Sequence, residues 1–560
     1  MKIALLSSFT IEPVVRHLRE ALGSRGISVE TYVGPFNAWA QEILRTDSGL
    51  KRFDSDVTVL AVDIDALIPD GTSLVAAPPE ERRRQVRSEV EQILNLVKTL
   101  AQKSRGKILV HNFSIPVASP LGILDEKDEA GLRGLVAEAN LELAAGLRSV
   151  EGAYVFDYDG FVRDVGRAQA YDPKMDFLAA MKIREEVLPR LADRYLKYLV
   201  PFAGKTRKVL VLDLDGTLWG GVVGEEGVSG IALGPQAPGN AYHAFQKAVV
   251  SLARRGAILA INSKNNADDA LEVIRNHPHM LLREKDFAAI RINWQDKASN
   301  MREIAEELNL GLDSFVFADD DPGNRMLMRG MLPEVLTIDL PHDPARFAET
   351  LLDLPDFETA RITDEDRERT SLYAAERERR QTASDAGSIE DYLRQLQIEV
   401  FVSEDDAREE ARLSQLCQKT NQFNLTTRRY TEEDVRRFIA DPAAGVWSIR
   451  AKDRFGDNGI VGLAIVRKEP RQWTLDSFLL SCRVIGRGVE QALLSRVAEC
   501  ARSSGAAELI GEFIPSAKNA PAQDFFYRNG FESVEQSDER SLWRLPLSKD
   551  VPAPEWIRYG

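Results

Sequence analysis

The sequence predicts a multidomain α/β protein, and three observations carry that prediction. Short apolar strands alternate with amphipathic helices over residues 1–200, which gives a parallel sheet covered by helices. From Val209 an apolar strand, VLVL, runs into the acidic pair Asp213 and Asp215. Toward the C-terminus, a strand leads into the glycine-rich turn Arg483–Gly488 and then a helix. At 560 residues the chain is long enough for about three to four domains.

Strands are predicted at Lys2–Ser8, Val29–Val33, Val57–Val62, Lys107–Asn112 and Tyr154–Tyr158, with helices at Glu12–Leu22, Glu80–Gln102 and Glu129–Leu147. The strands are short apolar runs, and the helices repeat apolar residues at three- and four-residue spacing. This places an N-terminal parallel α/β domain over residues 1–200. The polar residues at its strand ends are Ser7, Ser8, His111, Asn112, Asp157 and Asp159. A serine after the first strand and an asparagine after a later one resemble SGNH-type hydrolases, but that family's terminal D-x-x-H pair is missing. A serine without its base is a poor nucleophile, so the expectation is an SGNH-like domain that docks or binds.

Residues 205–355 follow. Period-two alternation would turn Asp213 and Asp215 the same way if the strand continued that far. They stand at its C-terminal end, where doubly wound sheets bind ligands. Two carboxylates in one crevice repel each other, so ionising both requires a cation or a shared proton. That suits Mg²⁺-assisted phosphoryl transfer, with one aspartate attacking phosphorus and the other acting as acid and base.

The stretch Asp213–Thr217, DLDGT, resembles motif I of the HAD phosphohydrolase superfamily, and the later motifs follow in order. Ala257–Ser263 reads as a second strand ending in the motif II hydroxyl. Lys297 opens an amphipathic helix and resembles the motif III cation. Ser314–Ala318 is a third strand, and Asp319, Asp320 and Asp321 after it resemble acidic motif IV. The resemblance implies Asp213 as nucleophile, Asp215 as acid/base and Lys297 as catalytic cation. It implies Mg²⁺ held by Asp213, Asp215, Asp319 and Asp320, and phosphate contacts from Thr217, Ser263, Lys264 and Asn265. Hard oxygen ligands suit Mg²⁺. Between motifs I and II lie only the flap Gly220–Leu233 and a helix near Tyr242–Arg254. The domain is therefore expected to be a capless, Rossmann-like HAD domain, open to a large substrate or closed by another domain.

Residues 356–387 are dense in charge and predict a solvated helical linker. The last domain is placed at 388–560, with a helix at Asp405–Cys417, strands at Val446–Lys452, Gly459–Val466 and Trp473–Ser481, a helix at Val489–Arg502 and a strand at Glu508–Phe513. Arg483–Gly488 matches R-x-x-G-x-G, whose glycines let backbone approach a ligand while N–H groups at the helix start cradle phosphate. Together with Asn519–Phe531, NAPAQDFFYRNGF, it resembles GNAT acyltransferases. This implies a GNAT-like α+β domain that binds phosphopantetheine through Arg483, Gly486, Arg487, Gly488 and Tyr527.

Cys482 precedes the turn at a strand end. A thiol is the most nucleophilic side chain near neutral pH, and Arg483, Arg487 and the helix N-terminus are expected to lower its pKa. Cys417 and Cys500 lie on helices and read as small hydrophobes. In Lys419–Tyr430, Asn421, Asn424, Thr426 and Arg428 are candidates to pin a small acid or phosphate; a plain polar loop is the other reading. Arg428, Arg429, Arg483 and Arg487 are the expected local basic patch.

A hydrophobic content of 44% and a charged content of 28% describe a globular chain. The net charge of −15 argues against a broad nucleic-acid-binding face. Three cysteines without paired or metal-like spacing suit a reduced, cytoplasmic compartment. The start MKIALLSSF reads as a strand rather than a signal peptide, and no apolar run approaches membrane-spanning length. Neither nucleic acid nor membrane is expected as a partner.

The combination DLDGTLWGGVVGEEG, SKNN, NWQDK, DDDPGNR, TNQFNLTTRRY, FGDNGIVG and LSCRVIGRG resembles the FkbH family of polyketide biosynthesis, from about Lys205 to the C-terminus. FVRDVGRAQAYDPKMDFLAAMKI is similar to the N-terminal domain of that family's longer members. The resemblance implies a bifunctional glyceryltransferase/phosphatase. Its substrate would be D-1,3-bisphosphoglycerate, which loses both phosphates. A glyceryl-S-enzyme thioester would then pass the glyceryl group to the phosphopantetheine thiol of an acyl carrier protein.

There are departures. Gly216 stands where the family usually has Asn, Asn262 where Cys is common, and Asp321 and Asn324 where Asn and Glu are common. With asparagine at 262, Cys482 is the expected acyl-carrying cysteine. The alternatives are a Mg²⁺-dependent small-molecule phosphatase with a regulatory or docking GNAT-like domain, and a non-catalytic scaffold. The five acids Asp213, Asp215, Asp319, Asp320 and Asp321 argue against the scaffold.

Overall fold

The computed structural model describes residues 1–68, 71–104, 106–360, 379 and 388–560, and the chain divides into two compact units, Met1–Lys205 and Thr206–Gly560. The first unit holds five parallel strands: β1 (Lys2–Ser7), β2 (Glu30–Val33), β3 (Val57–Ala61), β4 (Lys107–His111) and β5 (Ala153–Phe156), in the order β2-β1-β3-β4-β5. Strand β1 shows why both faces are covered. Ile3 and Leu5 join one core with the helices Val14–Gly23 and Leu188–Phe202, while Ala4 and Leu6 join the other with Pro79–Lys103 and Leu132–Leu147. A parallel sheet buried on both faces needs such near-continuous apolar strands.

The strand-end polar residues of this unit bond inward. Ser7 Oγ donates to Ala61 O at 3.1 Å, and Ser8 Oγ accepts from the Asp63 N–H at 2.9 Å. His111 is buried, with its Nε2 2.6 Å from the Tyr195 hydroxyl, and burial pulls its pKa down to about 3. Asn112 bonds Asp157 and the Asp159 N–H.

The second unit begins with the parallel strands β6 (Val209–Leu212), β7 (Ile258–Ser263), β8 (Ala289–Ile292), β9 (Phe315–Ala318) and β10 (Leu336–Thr337), ordered β10-β9-β6-β7-β8. Strand β6 alternates as β1 does: Leu210 and Leu212 enter one core, Val209 and Val211 the other. Its neighbours are β7 on one side and β9 on the other, so connections depart in opposite directions and leave a crevice beyond the C-terminal ends of β6 and β9.

The same unit carries a nine-stranded mixed sheet. Its strands are β11 (Ile398–Glu404), β12 (Phe423–Asn424), β13 (Ala444–Asp453), β14 (Gly456–Lys468), β15 (Gln472–Leu480), β16 (Glu508–Phe513), β17 (Glu532–Gln536), β18 (Ser541–Pro546) and β19 (Ile557–Tyr559). The central pair β15 and β16 is parallel, with the Val489–Ser503 helix crossing between them. The arrangement is α+β, a mixed sheet with helices packed on it.

One predicted element differs. The helix expected from Asp405 is α-helical only over Glu410–Lys419, because Asp405 takes φ +53° and its carboxylate accepts the Val446 N–H at 2.8 Å. The linker predicted at 356–387 lies outside the described residues apart from 356–360 and Arg379. Arg379 is buried and grips Asp453 at 2.7 and 2.9 Å. Among the described residues no helix is long and apolar enough to cross a membrane.

Gln246 couples the core beneath the β6–β10 sheet to the loop after β6. It is fully buried on the Gly239–Arg254 helix, donates to Leu218 O at 2.8 Å and accepts the Leu281 N–H at 2.8 Å. Gln246→Ala strands both backbone groups and should cost about 2–4 kcal/mol in urea unfolding. A loss under about 1 kcal/mol would mean that neither bond matters.

Candidate active site

The crevice at β6 and β9 collects the predicted acids. The Asp213 N–H donates to Ala318 O at 3.0 Å, which locks the two strand ends together. One carboxylate oxygen from each of Asp213, Asp319 and Asp320 lies within 4.8 Å of the others. Lys297 Nζ reaches in from below, 2.8 Å from Asp213 Oδ2 and 2.5 Å from Asp319 Oδ2.

Local sequence explains that reach. Asp296 caps the Lys297–Leu308 helix by accepting the Ser299 N–H at 2.8 Å, which places Lys297 at the first helical position. Asn262 Nδ2 donates to Lys297 O at 2.8 Å, and Asn300 Nδ2 donates to Asn262 Oδ1 at 3.2 Å. The asparagine at 262 is thus a fully buried strut for the lysine.

Burial raises the pKa of Asp213, an effect that Lys297 opposes. Burial, then the charge of Asp213, raises Asp319; burial, then the charge of Asp319, raises Asp320. Burial alone would lower Lys297, but the two carboxylates beside it overcome that and raise it. The ammonium neutralises one of the three charges that the ionised carboxylates would carry. Asp213 Oδ1 is buried without a hydrogen-bond partner. An excess of carboxylate oxygen and an orphaned acceptor are what a hard divalent cation satisfies, so Asp213, Asp319 and Asp320 fit Mg²⁺.

The other predicted residues take different posts. The Asp215 carboxylate, expected among the metal ligands, lies outside that cluster: it accepts from Trp219 Nε1 at 2.7 Å, Asn265 Nδ2 at 2.8 Å and the Val223 N–H at 3.2 Å. Burial nevertheless raises its pKa, against these donors. Thr217, expected on phosphate, is fully buried and donates to Asp320 Oδ1 at 3.1 Å. Asn265 serves Asp215. Ser263 is buried and its hydroxyl favours the charged form of Asp213, while Lys264 is exposed. Asp321 caps the Pro322–Met331 helix, accepting the Asn324 N–H at 2.8 Å.

The C-terminal sheet departs further from expectation. Strands β15 and β16 pair only from Gln472–Glu508 to Leu475–Gly511. Beyond that point the wedge is filled by the chain itself. Phe423 and Asn424 pair with Leu480 and Leu479, the Leu425 N–H donates to Phe478 O at 3.1 Å, and the Ile514 N–H donates to Leu425 O at 2.8 Å.

Three residues expected on ligand are consumed here. Asn424 is fully buried and accepts the Thr427 N–H. Arg428 bonds Asp476 O at 2.8 Å and Glu512 at 2.7 Å. Thr426 donates to Asp476 O at 3.0 Å. Arg429 bonds the Gln418 and Thr420 carbonyls at 2.9 and 3.0 Å and Asn421 Oδ1.

The R-x-x-G-x-G turn is also largely covered. Arg487 is buried 3.7 Å from Asp453, the carboxylate that Arg379 grips. Gly488 has φ +85°, and a Cβ there would lie 2.8 Å from Pro554 Cγ. Trp556 Nε1 donates to Arg487 O at 2.9 Å, so the C-terminal segment lies over the turn. Of the residues expected on phosphopantetheine, Gly486 and Tyr527 remain exposed, and Arg483 bonds Ser481 Oγ at 3.3 Å and Asn458 O at 3.4 Å. The predicted basic patch is therefore dispersed into these separate contacts.

Cys482 lines a cavity of about 340 Å³ between the N-terminal edge of the β6–β10 sheet and the C-terminal sheet, and Asn421 lines it too. Burial pushes the Cys417 thiol up to about 12 and raises Cys500.

Residues 2–200 match the family model described as FkbH, N-terminal domain. No curated protein matches the chain. A Bacteroides fragilis crystal structure, the N-terminal part of a protein containing a phosphatase domain, complexed with Mg, is 28% identical at a TM-score of 0.59; the match covers 65% of this chain and 95% of that one. The ribosomal-protein-S18-alanine N-acetyltransferase of Escherichia coli is 17% identical, covering 28% of this chain and 97% of that one at a TM-score of 0.22. A Mycobacterium tuberculosis protein in complex with CoA is 12% identical, covering 26% and 98% at 0.21.

Gly216 has φ +70°, and a Cβ there would collide with the Asp320 carboxylate. Gly216→Ala should push Asp320 out of the acidic cluster and weaken Mg²⁺ binding about ten-fold or more by calorimetry, with the fold intact. Unaltered Mg²⁺ affinity would remove Asp320 from the site.

Proposed function

From the chain's place in the FkbH-like family, which joins a phosphatase domain to a GNAT-like domain, we propose that this protein is a glyceryltransferase/phosphatase. It takes D-1,3-bisphosphoglycerate, removes both phosphates and delivers the glyceryl group to the phosphopantetheine thiol of an acyl carrier protein for polyketide biosynthesis. The observation that carries the phosphatase half is Asp213: one oxygen held by Lys297, the other buried and unbonded, at the strand end where its order reverses.

In the phosphatase step an Asp213 oxygen attacks the ester phosphorus, the P–O bond to the three-carbon acid breaks, and Asp215 gives its proton to the leaving alkoxide. Burial keeps that proton on Asp215 to higher pH than an ordinary aspartate would. Asp215 then takes a proton from the water that hydrolyses the aspartyl phosphate. Lys297 and Ser263 stabilise the charge that develops on the transferring group. Mg²⁺, held by Asp213, Asp319 and Asp320, supplies further neutralisation of that charge when bound.

The acyl phosphate is already an activated carboxyl. The Cys482 thiol adds to the acyl carbon, the carbon–oxygen bond to phosphate breaks, and the thiol proton leaves with the phosphate as hydrogen phosphate. The carrier thiol then displaces Cys482.

One observation favours the competing reading, a phosphatase whose GNAT-like domain only docks: the wedge between β15 and β16 is filled, and the turn before the Val489–Ser503 helix is covered by Pro554 and Trp556.

One substitution tests the phosphatase half and another the acyl-transfer half. Asp213→Asn should lower Mg²⁺-dependent phosphate release by roughly 1,000-fold or more while leaving the unfolding midpoint near wild type; undiminished turnover would refute Asp213 as nucleophile. Cys482→Ala should stop acyl loading of the carrier while phosphate-ester hydrolysis continues. Near-normal loading by that variant, followed by mass spectrometry of the carrier, would mean direct attack by the carrier thiol.

A further inference from the structure

We propose that Trp219 and Asn265 are positioning residues for Asp215, and that the flap Gly220–Leu233 serves to hold that carboxyl ready for proton transfer rather than to close over a substrate. The proposal rests on the phosphatase reading above and adds which side chains set its acid and base.

The donors leave the carboxyl little freedom. Trp219 is fully buried, and its Nε1 donates to Asp215 Oδ1 at 2.7 Å. The Val223 N–H donates to the same oxygen at 3.2 Å. A buried indole N–H needs an acceptor, and here the acceptor is the acid/base residue itself. Asn265 Nδ2 donates to Asp215 Oδ2 at 2.8 Å, while its own Oδ1 accepts the Asn266 N–H at 2.9 Å and so fixes which way the amide faces. An oxygen that already accepts two N–H groups is a poor place for a proton. The acidic proton therefore belongs on Oδ2.

The flap is pinned at its base. The Leu218 N–H turns back onto Leu214 O at 2.7 Å, and Gly220 and Ala232 exchange both backbone bonds, at 3.0 and 2.8 Å. Gln246 holds Leu218 O from the helix side. Trp219, Val223, Ile231 and Leu233 then enter one core with Leu214. A loop fastened by a backbone bridge and these apolar anchors cannot swing aside without exposing them to water. The Asp215 carboxyl is thus set before a substrate arrives, which spares the reaction the cost of orienting it.

Single turnovers of the full-length protein with Mg²⁺ separate positioning from packing. Transfer of phosphate to Asp213 from 3-phosphoglycerate expels an alkoxide, which needs the Asp215 proton. Transfer from p-nitrophenyl phosphate expels a stable phenolate, which leaves without one. Trp219→Phe keeps an aromatic ring in the core and loses the N–H. It should slow the first transfer about 100-fold and the second less than about three-fold. Asn265→Ala should show the same asymmetry at an unchanged unfolding midpoint, which covers the case of a poorly folded Trp219→Phe. Mg²⁺ affinity by calorimetry should not change in either variant, because the Asp215 carboxylate lies outside the acidic cluster. Added to Asp215→Asn, Trp219→Phe should bring no further slowing with 3-phosphoglycerate. Equal slowing with both esters, or a further loss in the Asp215→Asn background, makes these side chains packing residues and overturns the proposal. An unchanged rate with 3-phosphoglycerate in both variants overturns it too. A wild-type protein inert toward both esters sinks the phosphatase reading and this proposal with it, whereas a missing asymmetry against an active wild type sinks the proposal alone.

Discussion

Lys297 holds its ammonium between the carboxylates of Asp213 and Asp319, and the phosphatase edge is organised around keeping it there. Burying a lysine and two aspartates together is costly unless the charges meet at close range. Several features exist to satisfy that condition. The Asp296 cap starts the helix at the lysine, Asn262 and Asn300 fix its first turn, and the Asp213–Ala318 backbone bond sets the spacing of the strand ends. The same pairing leaves Asp213 Oδ1 without a partner and so keeps one oxygen available for chemistry.

Much of this edge was legible in the sequence because its signals are local. A strand of four apolar residues ending in DLDGT, a strand ending in Ser263 and a strand ending in Asp319 each state their own geometry, and parallel pairing brings those ends into line. Asp215 shows where local reasoning stops. Alternation along a strand would have aimed it beside Asp213, but β6 ends at Leu212 and the chain turns at once, so its carboxylate is claimed by Trp219, Asn265 and the Val223 N–H. Asn262 read as a missing cysteine; its role as a strut depends on Asn300, 38 residues away.

The C-terminal sheet was legible as a fold and opaque as a site. Its strands and long helix follow from periodicity, but the fate of its arginines does not. Arg428 is spent on Glu512, 84 residues away, and Arg487 faces Asp453, which Arg379 also holds. A charged side chain within a motif signals a ligand only when no internal partner reaches it first, and those partners come from distant sequence. The amide-rich stretch around Asn421 likewise gave no hint that Phe423–Leu425 would lie as a rung between β15 and β16.

That rung has a thermodynamic consequence for any arm that would slide between the two strands. Its competitor is covalently tethered, so it never diffuses away, and its effective concentration is of millimolar order for a short connection. A thioester-bearing arm that binds there must first displace the backbone bonds of Leu425, and its apparent dissociation constant rises in proportion to how completely the rung occupies its place. Discrimination against soluble coenzymes then needs no steric filter. An arm presented on a docked protein arrives at high local concentration and can compete, whereas the same arm free in solution is outnumbered by the chain's own segment.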